Sequence, residues 1–559
     1  MRALADTPVR SLPTGTVLLE DPIANRGTAF TAEERIRLRL DGLLPPAVET
    51  LEQQVARAYE AYRRKADDLE RHIYLRALQD NNETLCYALL RRHLSEMVPV
   101  VYTPVVAQAC AQFSRIYRRP RGLFLHYPMA DQLELLLENR PRREVAAIVV
   151  TDGERVLGIG DQGAGGMGIS IGKLQLYTLF GGIEPSQTLP ICLDVGTNNT
   201  ERLSEPDYIG WRHQRVSGDA YFDFVDRFVS AVKRVLPGVL LQWEDFARDH
   251  AAPLLERYRD QLCTFNDDIQ GTASVVVAAL SGALGVTGGR FRDQRIVIAG
   301  GGSAGVGLAT YLVRAMRAEG HGDEAKRRIF LVDRQGLIHD RLPDLTPGQR
   351  VYAQPFEVLS EFRRDESGRI PLVAVLEATG ATALLGVSAQ CGLFDEKAIR
   401  TMAAKVERPI IFPLSNPLER CEATPHDLLR WTDGRALIAT GSPYAPVTYA
   451  GVTRRIAQCN NVYIFPAVGL GVLSVGARRV TDGMMLAAAR ALGERSPARK
   501  DPAAPLLPEL EDLLGLTQEI ALAVAREAQE SGMAPASSED AVRAAIAARF
   551  WTPSYRPLL

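Results

Sequence analysis

Asp267 and Asp268 stand side by side in CTFNDDIQGTA, between a short apolar run and the strongly apolar SVVVAALSGALGV. A carboxylate beside a core element is costly unless it is paired, hydrogen-bonded or bound to a cation. Upstream, Glu244 and Asp245 follow another apolar run in LLQWEDFARDHA. With Asp268 they would offer three oxygen ligands, each at the end of an apolar segment. A set without Cys or His suits Mg²⁺ or Mn²⁺ rather than Zn²⁺. The plainer reading is that the Glu-Asp pair opens a helix, whose N-terminus favours acids. Spacing alone leaves both readings open.

Lys173 lies in GDQGAGGMGISIGKLQLYT (160–178), at a glycine-packed helix start. A Walker loop needs G-x-x-x-x-G-K-[ST], and Met167 and Leu174 stand where its first Gly and its Ser/Thr belong, which excludes a P-loop ATPase. Most lysines are solvated charges, but one flanked by apolar residues is a candidate for a lowered pKa and a base role.

Farther on, Gly300, Gly302 and Gly305 of GGGSAG fit G-x-G-x-x-G directly after RIVIA. There the backbone from Gly300 through Ser303 and Ala304 to Gly305 would receive a dinucleotide pyrophosphate at a helix N-terminus. Asp333 ends the next strand-like run, 33 residues beyond Gly300, against the usual interval of about 20. The charged insert EGHGDEAKRR (319–328) accounts for the excess. Asp333 would accept hydrogen bonds from an adenosine ribose, while Arg334 beside it would suit a 2′-phosphate. The same letters read G-x-S-x-G around Ser303, a hydrolase elbow. None of His321, His339 and His426 sits in a convincing loop after a strand. A structural glycine turn is the third reading.

The elements that must hold these groups follow from periodicity. Residues 33–95 carry apolar positions at helical spacing, interrupted by LLPPAVE. MVPVVYTPVV (97–106) reads as a β-rich stretch punctuated by prolines, and EVAAIVVTDGERVLGIGDQG (144–163) as two strands joined at Asp152-Gly153. Later, RIVIA, RIFLVDRQG, VAVLEATG, ERPIIFPLSNP and RALIATGSPY supply strands alternating with helices. That alternation indicates a parallel sheet covered on both faces. The expected fold class is α/β and multi-domain, with a helical N-terminal region, a substrate and metal domain, and a Rossmann-like doubly wound dinucleotide domain.

The chain has 559 residues, enough for several cores, and its formal net charge of −2 gives no general pull toward nucleic acid or anionic membrane. Seven scattered cysteines without a CxxC pair fit reduced thiols. MRALADTPVRSLPTG lacks the apolar run of a secretory signal, and no window approaches eighteen uninterrupted apolar residues. A cytoplasmic protein acting on small molecules is expected, with no membrane or nucleic-acid partner.

VVYTPVV, TDGERVLGIGDQGAGGMGISIGKLQLYT, WEDF, TFNDDIQGTA, the glycine fingerprint, LGVSAQCGLF, FPLSNP and NNVYIFP together resemble the malic enzyme family, in its order and spacing, over roughly residues 40–540. The resemblance implies oxidative decarboxylation of L-malate to pyruvate and CO₂ with NAD, dependent on Mn²⁺ or Mg²⁺, and decarboxylation of oxaloacetate as well. By position, it implies that Glu244, Asp245 and Asp268 ligate the metal and that Arg155 binds a malate carboxylate. Lys173 would take the C2 hydroxyl proton, Tyr102 would protonate C3, and Asp267 would orient Lys173. Asn416 and Asn461 would line the substrate and nicotinamide pocket. Arg155, Asp268 and Asn416 would also reach the cofactor bound by Gly300, Gly302, Ser303, Ala304, Gly305, Asp333 and Arg334.

RQGLIHDRLPDL is similar to the bacterial NAD-using branch, so NAD is expected, with an NADP-preferring enzyme or a malolactic enzyme that retains its NAD as alternatives. The resemblance further implies a homotetramer built as a dimer of dimers. It divides the chain into a helical region (1–120), a substrate and metal domain (121–268), a NAD domain whose last part packs back on the substrate domain (269–530) and a tail (531–559). The aromatic tail ARFWTPSYRPLL is expected to pack on a neighbouring subunit.

Overall fold

The computed structural model describes residues 13–156 and 158–556. Residues 1–12, where most of the missing secretory signal was read, Leu157 of the glycine-rich passage and 557–559 of the tail lie outside the described residues. The chain begins with helices, among them Leu51–Arg63, Asp68–Asn81 and Glu83–Arg92. Two parallel sheets follow in sequence order.

The first sheet contains β1 (Leu123–His126), β2 (Ala147–Thr151), β3 (Thr188–Asp194), β4 (Leu240–Trp243) and β5 (Thr264–Asn266), in the order β1-β3-β2-β4-β5. Every pairing is parallel. β2 reads AIVVT and is buried throughout, as a central parallel strand covered on both faces must be.

The second sheet takes β6 (Ile296–Ala299), β7 (Ile329–Asp333), β8 (Gly336–Leu337), β9 (Ala383–Gly386), β10 (Ile410–Pro413) and β11 (Leu437–Thr440). A small hairpin of β12 (Val447–Tyr449) and β13 (Val452–Arg454) stands apart, and β14 (Ala457–Gln458) returns to the sheet edge. The order β14-β11-β10-β9-β6-β7-β8 is parallel except for the edge strand β8. This is the doubly wound α/β arrangement expected from the alternating pattern.

Three local expectations are corrected. The stretch 97–106 is helical: Leu94–Val101 and Val105–Ala111 are helices broken at Tyr102. Its valines imitated a strand, while Pro104 marks the break and caps the second helix. Residues 372–379 are also a helix, entered through Pro371 and ended by Gly380 in left-handed backbone (φ 55°), with the strand displaced to β9. Finally, Asp152-Gly153 does not close a hairpin. β2 already has β3 and β4 on its two edges, so only an isolated bridge between Val156 and Gly160 forms beyond the turn.

One apolar core joins the N-terminal helices, the helix Met167–Leu179, and the helices Thr272–Thr287, Asp482–Glu494 and Leu510–Glu530. Two segments have the length and hydropathy of membrane spans, Leu94–Ala111 and Asp267–Thr287. They are 56% and 78% buried inside the molecule, and the second packs as a core helix rather than facing outward.

Candidate active site

β2, β4 and β5 are neighbours and point the same way, so the residues following them meet at one end of the first sheet. Glu244 and Asp245 follow β4, Asp267 and Asp268 follow β5, and the loop to Arg155 follows β2. One carboxylate oxygen each from Glu244, Asp245 and Asp268 lies within 4.8 Å of the others. The backbone N–H of Asp245 donates to Asp268 Oδ2 (2.8 Å), and that of Arg155 to the Asp245 carbonyl (3.1 Å). Asp245 holds a left-handed backbone (φ 56°), a conformation that Asp adopts more readily than most residues.

Lys173, on the helix Met167–Leu179, has no exposed surface. Its Nζ lies 2.9 Å from Glu244 Oε1 and pairs also with Asp267 Oδ2. Two aromatic faces close over it, Tyr102 at 5.1 Å and Phe465 at 4.6 Å from Nζ to ring centre. Burial alone would lower the Lys173 pKa, but Asp267 and Glu244 outweigh it and raise it well above the ordinary value. Burial pushes the Glu244 carboxyl well up against the pull of Lys173, and it raises Asp268 and the Tyr102 phenol as well.

Glu244 is thus shared between the Lys173 ammonium and a cluster of three carboxylates, whose negative charge a divalent cation would offset. The donors are hard oxygens with no thiolate or imidazole among them, so the residues fit Mg²⁺ or Mn²⁺.

Asp267 opens a π-helical turn, Asp267–Gly271, and its Oδ1 is buried without a hydrogen-bond partner. The turn runs so close that a Cβ on Gly271 would sit 1.9 Å from that oxygen. Asn461 donates from Nδ2 to Asp267 Oδ2 at 3.0 Å. Asn416, after β10, accepts from the Ser442 hydroxyl.

In the second sheet, Gly300 (φ 119°) turns the chain from β6 into the helix Ser303–Ala318. A Cβ on Gly305 would sit 1.9 Å from the Gly300 carbonyl, so helix and turn can approach only with glycine there. A cleft of about 700 Å³ opens over Gly300, Gly301 and Gly302, with Asp333 and Arg334 on its wall. Gln349 Nε2 bonds the Gly301 carbonyl at 3.0 Å and lies 3.4 Å from Asp333 Oδ2. Ser303 and Ala304 are exposed at the helix start. These features fit a dinucleotide.

Several participants were not singled out from the sequence, although Phe465 lies within NNVYIFP and Gln242 and Arg248 lie within LLQWEDFARDHA. Phe465 is one of many apolar residues, yet it covers Lys173. Gln242 donates to Glu244 Oε2 (2.8 Å) and accepts from the Tyr177 hydroxyl (2.6 Å). The fully buried Glu422 accepts from Ser388 N–H and Oγ–H (2.8 Å each) and from Ser415 Oγ–H (2.5 Å), tying the loop after β9 to the one bearing Asn416. Arg248, three residues past Asp245, lines the dinucleotide cleft. A second cluster, Asp152, Glu154 and His250, joins an ion-pair network in which Arg215 meets Asp161, Asp152 and Glu154 while His250 meets Glu154.

Residues 79–259 match the family model described as malic enzyme, N-terminal domain, and residues 269–529 the one described as malic enzyme, NAD binding domain. The NAD-dependent malic enzyme of Edwardsiella ictaluri is 54% identical over 97% of this chain and 96% of its own, and that of Proteus mirabilis is 53% identical over the same shares. Among solved structures, the Entamoeba histolytica malic enzyme has a TM-score of 0.54 at 22% identity, covering 92% of this chain and 91% of its own. The Pyrococcus horikoshii malic enzyme has 0.53 at 24%, covering 82% and 89%. The structural likeness is one of fold; the extent and identity of the sequence matches carry the assignment. The chain is an enzyme and belongs to the malic enzyme family.

Proposed function

We propose that the protein catalyses L-malate + NAD⁺ → pyruvate + CO₂ + NADH, dependent on Mn²⁺ or Mg²⁺, and that it also decarboxylates oxaloacetate. The observation that carries this reading is the buried Lys173 ammonium held between Asp267 and Glu244, with Glu244 also one of the three converging carboxylates. When bound, the cation held by Glu244, Asp245 and Asp268 supplies polarisation of the C2 oxygen, and the nicotinamide supplies a hydride acceptor.

Lys173 takes the C2 hydroxyl proton as hydride leaves C2. A cation held by Glu244 would compete for one of the two carboxylates that hold the Lys173 proton and so would make Lys173 a better base. The C3–C4 bond then breaks, CO₂ leaves, and Tyr102 returns a proton to C3. Arg155 grips a malate carboxylate, Asp267 orients Lys173, and Asn416 and Asn461 line the pocket. Gly300, Gly302, Ser303, Ala304 and Gly305 seat the pyrophosphate, and Asp333 takes the ribose, with Arg334 beside it.

The test is NADH production from malate with and without Mn²⁺ in wild type, Lys173→Ala and Asp268→Asn. Losses of about 10²-fold or more are expected in both variants, and an undiminished rate in the presence of chelator would overturn the reading. Release of free NADH with pyruvate distinguishes it from a malolactic enzyme, and kcat/KM with NAD⁺ against NADP⁺ checks the cofactor. We place the enzyme in the cytoplasm as a homotetramer, which light scattering would check.

A further inference from the structure

Asp482 is the first residue of the helix Asp482–Glu494, with Thr481 as its cap. An acid in a first turn is favourable through the helix dipole alone and needs no partner. Asp482 instead is 93% buried and takes partners from three other elements. Oδ1 accepts from Gln270 Nε2 (2.9 Å) and from the Tyr311 hydroxyl (2.7 Å). Oδ2 accepts from Arg259 (2.7 Å) and lies 2.8 Å from the Arg314 guanidinium.

Three of those four partners belong to the proposed cofactor and metal sites. Tyr311 and Arg314 are on the helix Ser303–Ala318, whose N-terminus forms the floor of the dinucleotide cleft. Gln270 is inside the Asp267–Gly271 turn that carries Asp268. Gln270 is also used at both ends, because its Oε1 accepts from the backbone N–H of Asn266 at the end of β5 (3.0 Å). The side chain therefore clips the turn to its own strand on one side and to Asp482 on the other.

We propose that Asp482 is a positioning residue for the metal site: through Gln270 it fixes the turn that presents Asp268, and through Tyr311 it anchors that turn to the cofactor-binding helix. The proposal rests on Asp268 being a metal ligand. Groups behind a ligand, when removed, typically reduce metal affinity about 10–100-fold. Asp482 touches neither metal nor substrate, so its loss acts through geometry.

The experiment is a titration of free Mn²⁺ followed by electron paramagnetic resonance, on the full chain without substrate, for wild type, Asp268→Asn, Asp482→Asn and Gln270→Met. Thermal denaturation establishes that each variant is folded. Wild type binds and Asp268→Asn does not; were these two alike, the metal site itself would be misassigned. With that difference established, Asp482→Asn weakens Mn²⁺ binding about tenfold or more. Gln270→Met, which keeps the side-chain length but removes both hydrogen bonds, does the same. At saturating Mn²⁺ most of the Asp482→Asn rate returns, whereas a general loosening of the fold would leave kcat low. Wild-type Mn²⁺ affinity in either folded variant, or a kcat that excess Mn²⁺ fails to restore, overturns the proposal.

Discussion

Lys173 is stabilised as an ammonium by Asp267 and Glu244, yet the base role proposed for it requires it to give that proton up and take another. Charge and basicity can be separated by Lys173→Arg. Arginine keeps a cation between the two carboxylates but cannot deprotonate, so kcat is expected to fall by about 10²-fold or more while Mn²⁺ affinity changes little. Steady-state kinetics beside a metal titration measures both. Gly271→Ala tests the turn more gently: its Cβ would fall 1.9 Å from Asp267 Oδ1 and push that carboxylate off Lys173. Activity should drop sharply, and the melting temperature should fall as well, because the buried Asp267–Lys173 pair is broken. At this scale the sequence was readable wherever a charge followed an apolar run, as with Glu244, Asp245, Asp267 and Asp268. Phe465, Gln242, Glu422 and Asp482 were not, because an ordinary apolar or polar residue becomes specific only through what the fold places opposite it.

Elements were legible where period and punctuation agreed. The strand-turn-helix around Gly300 is the clearest case, since glycine spacing, strand and helix all coincide. Gly305→Ala would force its Cβ to within 1.9 Å of the Gly300 carbonyl. NADH affinity, followed by fluorescence, is expected to weaken about tenfold or more, roughly 1.4 kcal/mol, with Mn²⁺ binding intact. Residues 97–106 and 372–379 misled because Val and Ala satisfy both periods, and tertiary packing decides between them.

The helix break at Tyr102 leaves that side chain facing Lys173. Nearby, His72 joins two helices through Nδ1 and the Val100 carbonyl (2.8 Å), and burial lowers its pKa from 6.5 to about 4. A depressed imidazole pKa means that the neutral ring favours the fold. Its contribution is complete above pH 6.5 and is lost as pH falls toward about 4, up to about 3 kcal/mol. Denaturant unfolding of wild type and His72→Gln across that window should show the variant with the shallower pH dependence.

For the whole molecule, the aromatic tail packs on its own chain. Trp551 is buried, donates its backbone N–H to the Gly182 carbonyl (2.8 Å) and meets Tyr87 edge-on at 5.7 Å. The Tyr555 hydroxyl donates to Gln54 (2.6 Å) and accepts from Asn82 (2.8 Å), and Arg26 donates to the Arg556 carbonyl. Composition marked these residues as too aromatic for a frayed end but held no information about which surface they cover. Trp551→Ala should lower unfolding stability by about 3 kcal/mol, seen as a shifted denaturation midpoint.

Tyr555 meets residues made 473 and 501 positions before it. On the ribosome, the helices bearing Gln54, Asn82 and Tyr87 must therefore wait with an unsealed apolar face until Trp551 and Tyr555 have been made. A product interrupted shortly before Trp551 would carry every proposed catalytic group and still expose that surface to chaperones and proteases.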